Sequence, residues 1–129
     1  MRLSSVYAAS LLCLGVGAAK SKAGKFQNYH TRALSSSPLD LDDGSYDQLI
    51  TAPRDYSAVV LLTASEAKYG CKVCKEFAPE WDLIAKSWNK GDRKGESRTL
   101  FGTLDFSKGK GTFQKVSLRS RHQSSVVLT

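Results

Sequence analysis

The sequence predicts an α/β fold: a three-layer sandwich with helices on both faces of a small sheet. Three observations carry this. Two short β-rich runs, residues 56–63 and 98–106, read as strands. One long amphipathic helix lies between them. Around these three, shorter elements alternate in the order β-α-β-α-β-α, with the stub of a further strand at the end.

The first 19 residues lie outside this unit. Arg2 gives a positive start, residues 3–16 are apolar or small, and Val16-Gly17-Ala18 offers small residues for cleavage after Ala18 or Ala19. These are the three regions of a secretory signal peptide. The run is too short for a membrane span, which needs about 20 apolar residues. Residues 20–37 are polar, basic and serine-containing, and read as a linker, with residues 38–129 forming the domain.

Leu39-Asp40-Leu41 alternates as a short strand. Ser45 or Asp43 is placed to cap a helix carrying Tyr46, Leu49 and Ile50, which Pro53 ends. In residues 56–63 the run Val59-Val60-Leu61-Leu62 is continuous, as expected of a central strand buried on both faces. Residues 64–70 form a loop. Phe77, Trp81, Ile84 and Trp88 then recur at i, i+4, i+7 and i+11, a stripe that places both tryptophans in the core. Pro79 interrupts that helix's bonding and predicts a kink. Residues 89–97 are a charged loop. In the next strand Leu100, Gly102, Leu104 and Phe106 share one face, Phe101 and Thr103 the other. Residues 107–111 turn, and Thr112 is placed to cap a helix with Phe113, Val116 and Leu118. Residues 119–125 are polar, and Val126-Val127-Leu128-Thr129 is the strand stub.

The formal net charge is +7 over 129 residues. Lys20, Lys22, Lys25 and Arg32 contribute without an acidic residue among them. Such a stretch suits anionic partners or lipid headgroups. With no aromatic platform or nucleic-acid motif beside it, it reads as a solvated basic segment and not as a nucleic-acid site.

Signal cleavage removes Cys13 and leaves Cys71 and Cys74. One tight pair closes almost no loop, so it contributes little as a staple. Cys71-Lys72-Val73-Cys74 lies just past a strand's C-terminal end, where open α/β sheets place their sites, and at a helix start. There the helix dipole favours a thiolate, the form that attacks disulfides. Lys68, Lys72 and Lys75 add positive charge. In the redox reading Cys71 is the exposed, attacking sulfur and Cys74 the resolving one. Two other readings stand beside it, a structural disulfide and a zinc half-site. Zinc wants four ligands, and His30 and His122 have no finger spacing. No Ser-His-Asp set, phosphate loop or HExxH motif is present, and no cofactor is called for. Asp105 reads as a paired core acid.

Residues 56–118 closely resemble a branch of the thioredoxin-like proteins, the lumenal domains of the gamma-type subunit of the oligosaccharyltransferase complex. The resemblance rests on YSAVVLLTA (56–64), YGCKVCKEFAPE (69–80), Trp88, LFGTLDF (100–106) and TFQK (112–115). It implies a thioredoxin-like sandwich facing the endoplasmic reticulum lumen, anchored by four C-terminal membrane helices. It implies an accessory subunit, not the glycosyl-transferring one. Such a subunit supports N-linked glycosylation by capturing cysteine-containing acceptor polypeptides, through mixed disulfides or a peptide groove, with Cys71 and Cys74 as the redox pair. The runner-up is a free secretory thiol-disulfide oxidoreductase, and a third reading is an inactive fragment. Soon after Leu118 the family has an Ala-Pro step with a cis proline facing the cysteines, and residues 120–129 hold no proline. The expectation is a C-terminally incomplete domain, with divergent sequence beyond about Val116.

Overall fold

The structure is a computed structural model that describes residues 20–120, and their side chains from 24 to 117. The expected signal peptide and the strand stub at 126–129 lie outside the described residues. The elements run α1 (Lys20–Ser35), β1 (Leu39–Leu41), α2 (Asp43–Ile50), β2 (Ser57–Thr63), a 3-10 turn (Ala67–Tyr69), α3 (Lys72–Gly91), β3 (Thr99–Asp105) and α4 (Lys110–Ser120).

The three strands are parallel in the order β1-β3-β2. Helices cover both faces, so the fold is α/β and thioredoxin-like. On one face Leu100, Leu104 and Ala58 pack with Leu39, Leu41 and Leu49, and Tyr46 and Phe113 close over them from α2 and α4. On the other face Phe101 packs with Trp81 and Ala85 of α3. The period-2 alternation read along residues 100–104 is what sorts these side chains between the layers.

The structure departs from six of these expectations. The basic stretch is not a linker over its length: it forms α1. Phe26, Tyr29, His30 and Ala33 stand at i, i+3, i+4 and i+7 and are all buried, the first, second and fourth in the main core. This apolar stripe is present in the sequence, but lysines on the other faces mask it in the average composition. Arg98 lies over the Phe26 ring at 4.5 Å, and Asn89 of α3 donates to the Ala33 carbonyl at 3.1 Å.

The central strand is β3, not β2. Both β1 and β2 pair with β3, and the middle of β2 is only half-buried among the described residues. The continuous apolar run marks a strand between two helical layers but does not tell a centre from an edge.

The cap of α2 is Asp42, one residue earlier than expected. Its Oδ1 accepts from the Ser45 amide at 2.7 Å, while the Ser45 hydroxyl accepts from the Asp42 amide at 2.8 Å. This reciprocal pair is a capping box. Asp43 is thereby released for another helix: its carboxylate accepts from the Gly111 amide and from the amide and hydroxyl of Thr112. Thr112, expected as a cap, is instead buried inside the first turn of α4, and Asp43 supplies the capping acceptor from α2.

The α3 stripe is only partly core. Trp81 is buried, but Phe77, Ile84 and Trp88 are 41%, 46% and 42% exposed. Trp88 still lays its ring against Phe101, at 5.7 Å. The helix runs on through Pro79.

Candidate functional site: the cysteine pair at the start of α3

Cys71 and Cys74 form a disulfide, with Cα atoms 5.3 Å apart. Cys71 is the N-cap of α3, and its sulfur accepts from the Cys74 amide at 3.2 Å. The sulfur therefore sits where the helix leaves its first amides unpaired and where its dipole favours negative charge. Both cysteines are half-buried, and Val73 between them is 72% exposed.

The loop that delivers Cys71 is fastened at several points. The Phe106 amide donates to the Thr63 carbonyl at 2.7 Å. Asp105 Oδ2 accepts from the Ser65 amide at 2.8 Å and from its hydroxyl at 2.5 Å. Asp105 Oδ1 accepts from the amide and hydroxyl of Ser107 at 2.9 and 2.7 Å. Burial alone would raise the Asp105 pKa. These hydrogen bonds outweigh it and hold the carboxyl well below its ordinary value of 3.8. Asp105 is thus the paired acid expected, with hydroxyl and amide partners. Tyr69 meets Phe106 edge-on at 5.1 Å, and Phe106 meets Phe113 likewise at 5.2 Å. Gly70 then takes a left-handed φ of 64°, which turns the chain into α3 without a Cβ penalty.

The expected cationic surroundings are partly neutralised. Lys68 pairs with Glu66 at 2.5 Å and lies over the Tyr69 ring, and Lys72 faces Glu76 at 3.8 Å. The helix start itself adds a thiolate-favouring field at Cys71. His30, the described zinc-ligand candidate, is remote. Its Nε2 lies 3.3 Å from the Asp92 carbonyl oxygen, beyond the far end of α3. Twenty helical residues span about 30 Å. His122 lies outside the described residues.

A pair of cysteines three residues apart, at a helix start past a parallel strand, is one continuous block of local sequence, and the loop before it is pinned to the neighbouring strand. That block matches a known family. Residues 27–121 match the model of the OST3/OST6 family, transporter family. The chain belongs to the OST3/OST6 family. The match covers α1 from Gln27 onward and continues five residues past Val116, where the sequence had suggested divergence.

Individual relatives agree. The chain is 37% identical over 68 residues to the dolichyl-diphosphooligosaccharide–protein glycosyltransferase subunit MAGT1 of Xenopus laevis, covering 53% of this chain and 20% of that protein. It is 31% identical over 83 residues to the MAGT1 subunit of Homo sapiens, covering 64% and 24%. It is 29% identical over 75 residues to subunit 3 of the same transferase in Schizosaccharomyces pombe, covering 58% and 24%. The chain therefore spans about a fifth to a quarter of the length of these OST3/OST6 relatives. Among the described residues no helix is long and apolar enough to cross a membrane.

Sequence reasoning found both cysteines and missed their supports. Ser65 lay outside the quoted segments, and although Tyr69, Asp105 and Phe106 lay within them, the contacts join residues about 40 positions apart. The α1 stripe was visible in residues 26–33.

Proposed function

We propose that this chain supplies the lumenal, thioredoxin-like part of an accessory oligosaccharyltransferase subunit in the endoplasmic reticulum. It supports N-linked glycosylation by holding acceptor polypeptides through transient mixed disulfides at Cys71. Its partners are cysteine-containing acceptor polypeptides and the other subunits of that complex. The observation that carries the reading is the Cys71–Cys74 disulfide at the α3 N-terminus, with the Cys74 amide on Cys71 Sγ. Family membership and the relatives' names support the rest.

The chemistry balances in both directions. From the reduced pair, the Cys71 thiolate attacks a client disulfide. A Cys71–client bond forms, the client S–S bond breaks, and one client thiolate leaves. Cys74, deprotonated, then attacks Cys71 Sγ, closing the 71–74 disulfide and releasing the second client thiolate. The client is reduced and the pair oxidised. From the oxidised pair, a client thiolate attacks Cys71 Sγ and expels the Cys74 thiolate, whose charge lies within the first turn of α3. A second client thiol completes the reverse reaction.

Trapping tests the proposal. In Cys74→Ser the first step proceeds and the second cannot. Mixed disulfides to Cys71 then accumulate on non-reducing gels and vanish with dithiothreitol. A Cys71→Ser/Cys74→Ser chain gives none. If Cys74→Ser alkylates readily at Cys71 yet traps no client, capture is wrong. Fast insulin reduction by the wild-type chain would instead favour a free thiol-disulfide oxidoreductase.

A further inference from the structure

The far end of α3 carries a feature that the cysteine chemistry does not use. A cavity of about 460 Å³ opens between the last turn of α1 and the last turns of α3. Lys86, Asn89 and Lys90 line it at i, i+3 and i+4 of α3, and Arg93 follows just past the helix end, at i+7. This spacing sets the first three on one side of the helix, and Arg93 joins the lining from the segment beyond it. Ser35 and Ser37 face them across the cavity.

The charge balance of this wall is one-sided. Among the described residues no carboxylate lines the cavity. Asp82 lies 4.0 Å from Lys86, outside the lining. Like charges at i and i+4 repel, so Lys86 and Lys90 destabilise the bare helix surface. A cation in the last turn does serve the helix dipole. Lys90 meets that need, Lys86 also faces Asp82 one turn earlier, and Arg93 lies beyond the helix end. The polar side of the cavity is also incomplete. Among the described residues Ser37 Oγ has no hydrogen-bond partner, and the residue as a whole is half-buried. Asn89 is 6% exposed and is held in place by its bond to the Ala33 carbonyl, which fixes the wall against which a ligand would rest.

We propose that this cavity binds a phosphate group, carried either by a small soluble ester or by a lipid headgroup. Arg93 offers a planar fork for two phosphate oxygens, and Lys86 and Lys90 add point charge. The volume exceeds that of a phosphate alone and lies in the range of small-molecule sites. The site is distinct from the cysteines, which lie at the opposite end of a helix about 30 Å long.

Titration of the full chain with inorganic pyrophosphate, followed by calorimetry, tests this. A saturable one-to-one isotherm is expected. It should weaken about tenfold or more in Lys90→Ser/Arg93→Ser, as loss of two charge-assisted contacts requires. The control Lys75→Ser/Lys110→Ser removes equal charge elsewhere and should leave binding unchanged. Near-ultraviolet circular dichroism confirms that each variant is folded. Co-sedimentation with phosphatidylcholine vesicles, with and without phosphatidic acid, separates the two sources. Pelleting only with phosphatidic acid, lost in the cavity variant, assigns a headgroup; pyrophosphate binding without pelleting assigns a soluble ester. Equal loss in cavity variant and control, or no saturable binding by folded wild-type chain, overturns the proposal.

Discussion

Asp105 fastens Ser65 across the C-terminal edge of the sheet. One carboxylate oxygen takes both the amide and the hydroxyl of Ser65, 40 residues away in sequence. The other takes the same two groups of Ser107. The acid thus ties the loop before Cys71 to the loop after β3. Its role is to position that loop, since it does not touch sulfur.

Asp105→Ala should therefore destabilise the fold by about 2 kcal/mol, since it removes four acceptor contacts at a partly solvated site. It should also raise the rate at which reduced Cys71 is alkylated, as the loop opens more often. Urea unfolding and iodoacetamide kinetics measure the two. Asp105→Asn keeps one acceptor oxygen and should fall between.

Acid should loosen the same loop. Asp105 is held below its ordinary 3.8 when folded. Asp43 is held below it too, first by the Thr112 hydroxyl and then by the Thr112 amide. A carboxyl with a depressed folded pKa contributes its stability in full above the unfolded value. That stability is lost as pH falls through the unfolded value toward the folded one. Stability should be flat from about pH 7 to 5 and should decline below about pH 4. Chemical-denaturation midpoints across that range check this, and in Asp105→Asn the decline should be shallower.

Gly102 lets β1 approach β3. A Cβ there would stand 2.7 Å from Leu41 Cδ1 and 3.5 Å from the Leu39 carbonyl oxygen. Both leucines are buried, so they have little room to retreat. Gly102→Ala should cost about 1–3 kcal/mol by overpacking. Thermal melting shows it, and a variant melting like wild type would mean that β1 moves freely.

The helix α1 should be required for stability. Phe26 is 3% exposed and meets His30 at 5.3 Å and Tyr56 at 6.0 Å. Phe26→Ala should cost about 3 kcal/mol or more, as truncation of a buried aromatic does. Lys25→Ala, on the same helix, should cost well under 1 kcal/mol. Comparable effects from the two would mean that α1 packs loosely.

The helices α2 and α4 should melt together. Asp43 caps α4 from α2, and Thr112, which it holds, is 2% exposed. Asp43→Ala should lower hydrogen-exchange protection at the start of α4, around Gly111 and Phe113, while the α3 amides keep theirs. Equal loss across α3 and α4 would mean that this contact has no local role.

Local pattern determined much of this protein. Period-2 alternation assigned residues 100–104 to the two faces of β3, helical spacing announced α3, and the cysteine spacing with its flanking residues marked the candidate site and the family. These signals are local because backbone geometry repeats over two or about four residues. Strand order was not legible, because β2 reads as an equally apolar run whether one neighbour or two pair with it. Nor was the depth of the α3 stripe, since spacing gives a helix its direction while the neighbouring layer decides whether Trp88 is covered. Average charge hid α1 until the contacts of Phe26, Tyr29 and Ala33 with the core were in view. The supports of the cysteine loop also waited on the tertiary structure: Ser65 meets Asp105 only because parallel pairing of β2 with β3 brings their C-terminal ends together, with Thr63 opposite Asp105.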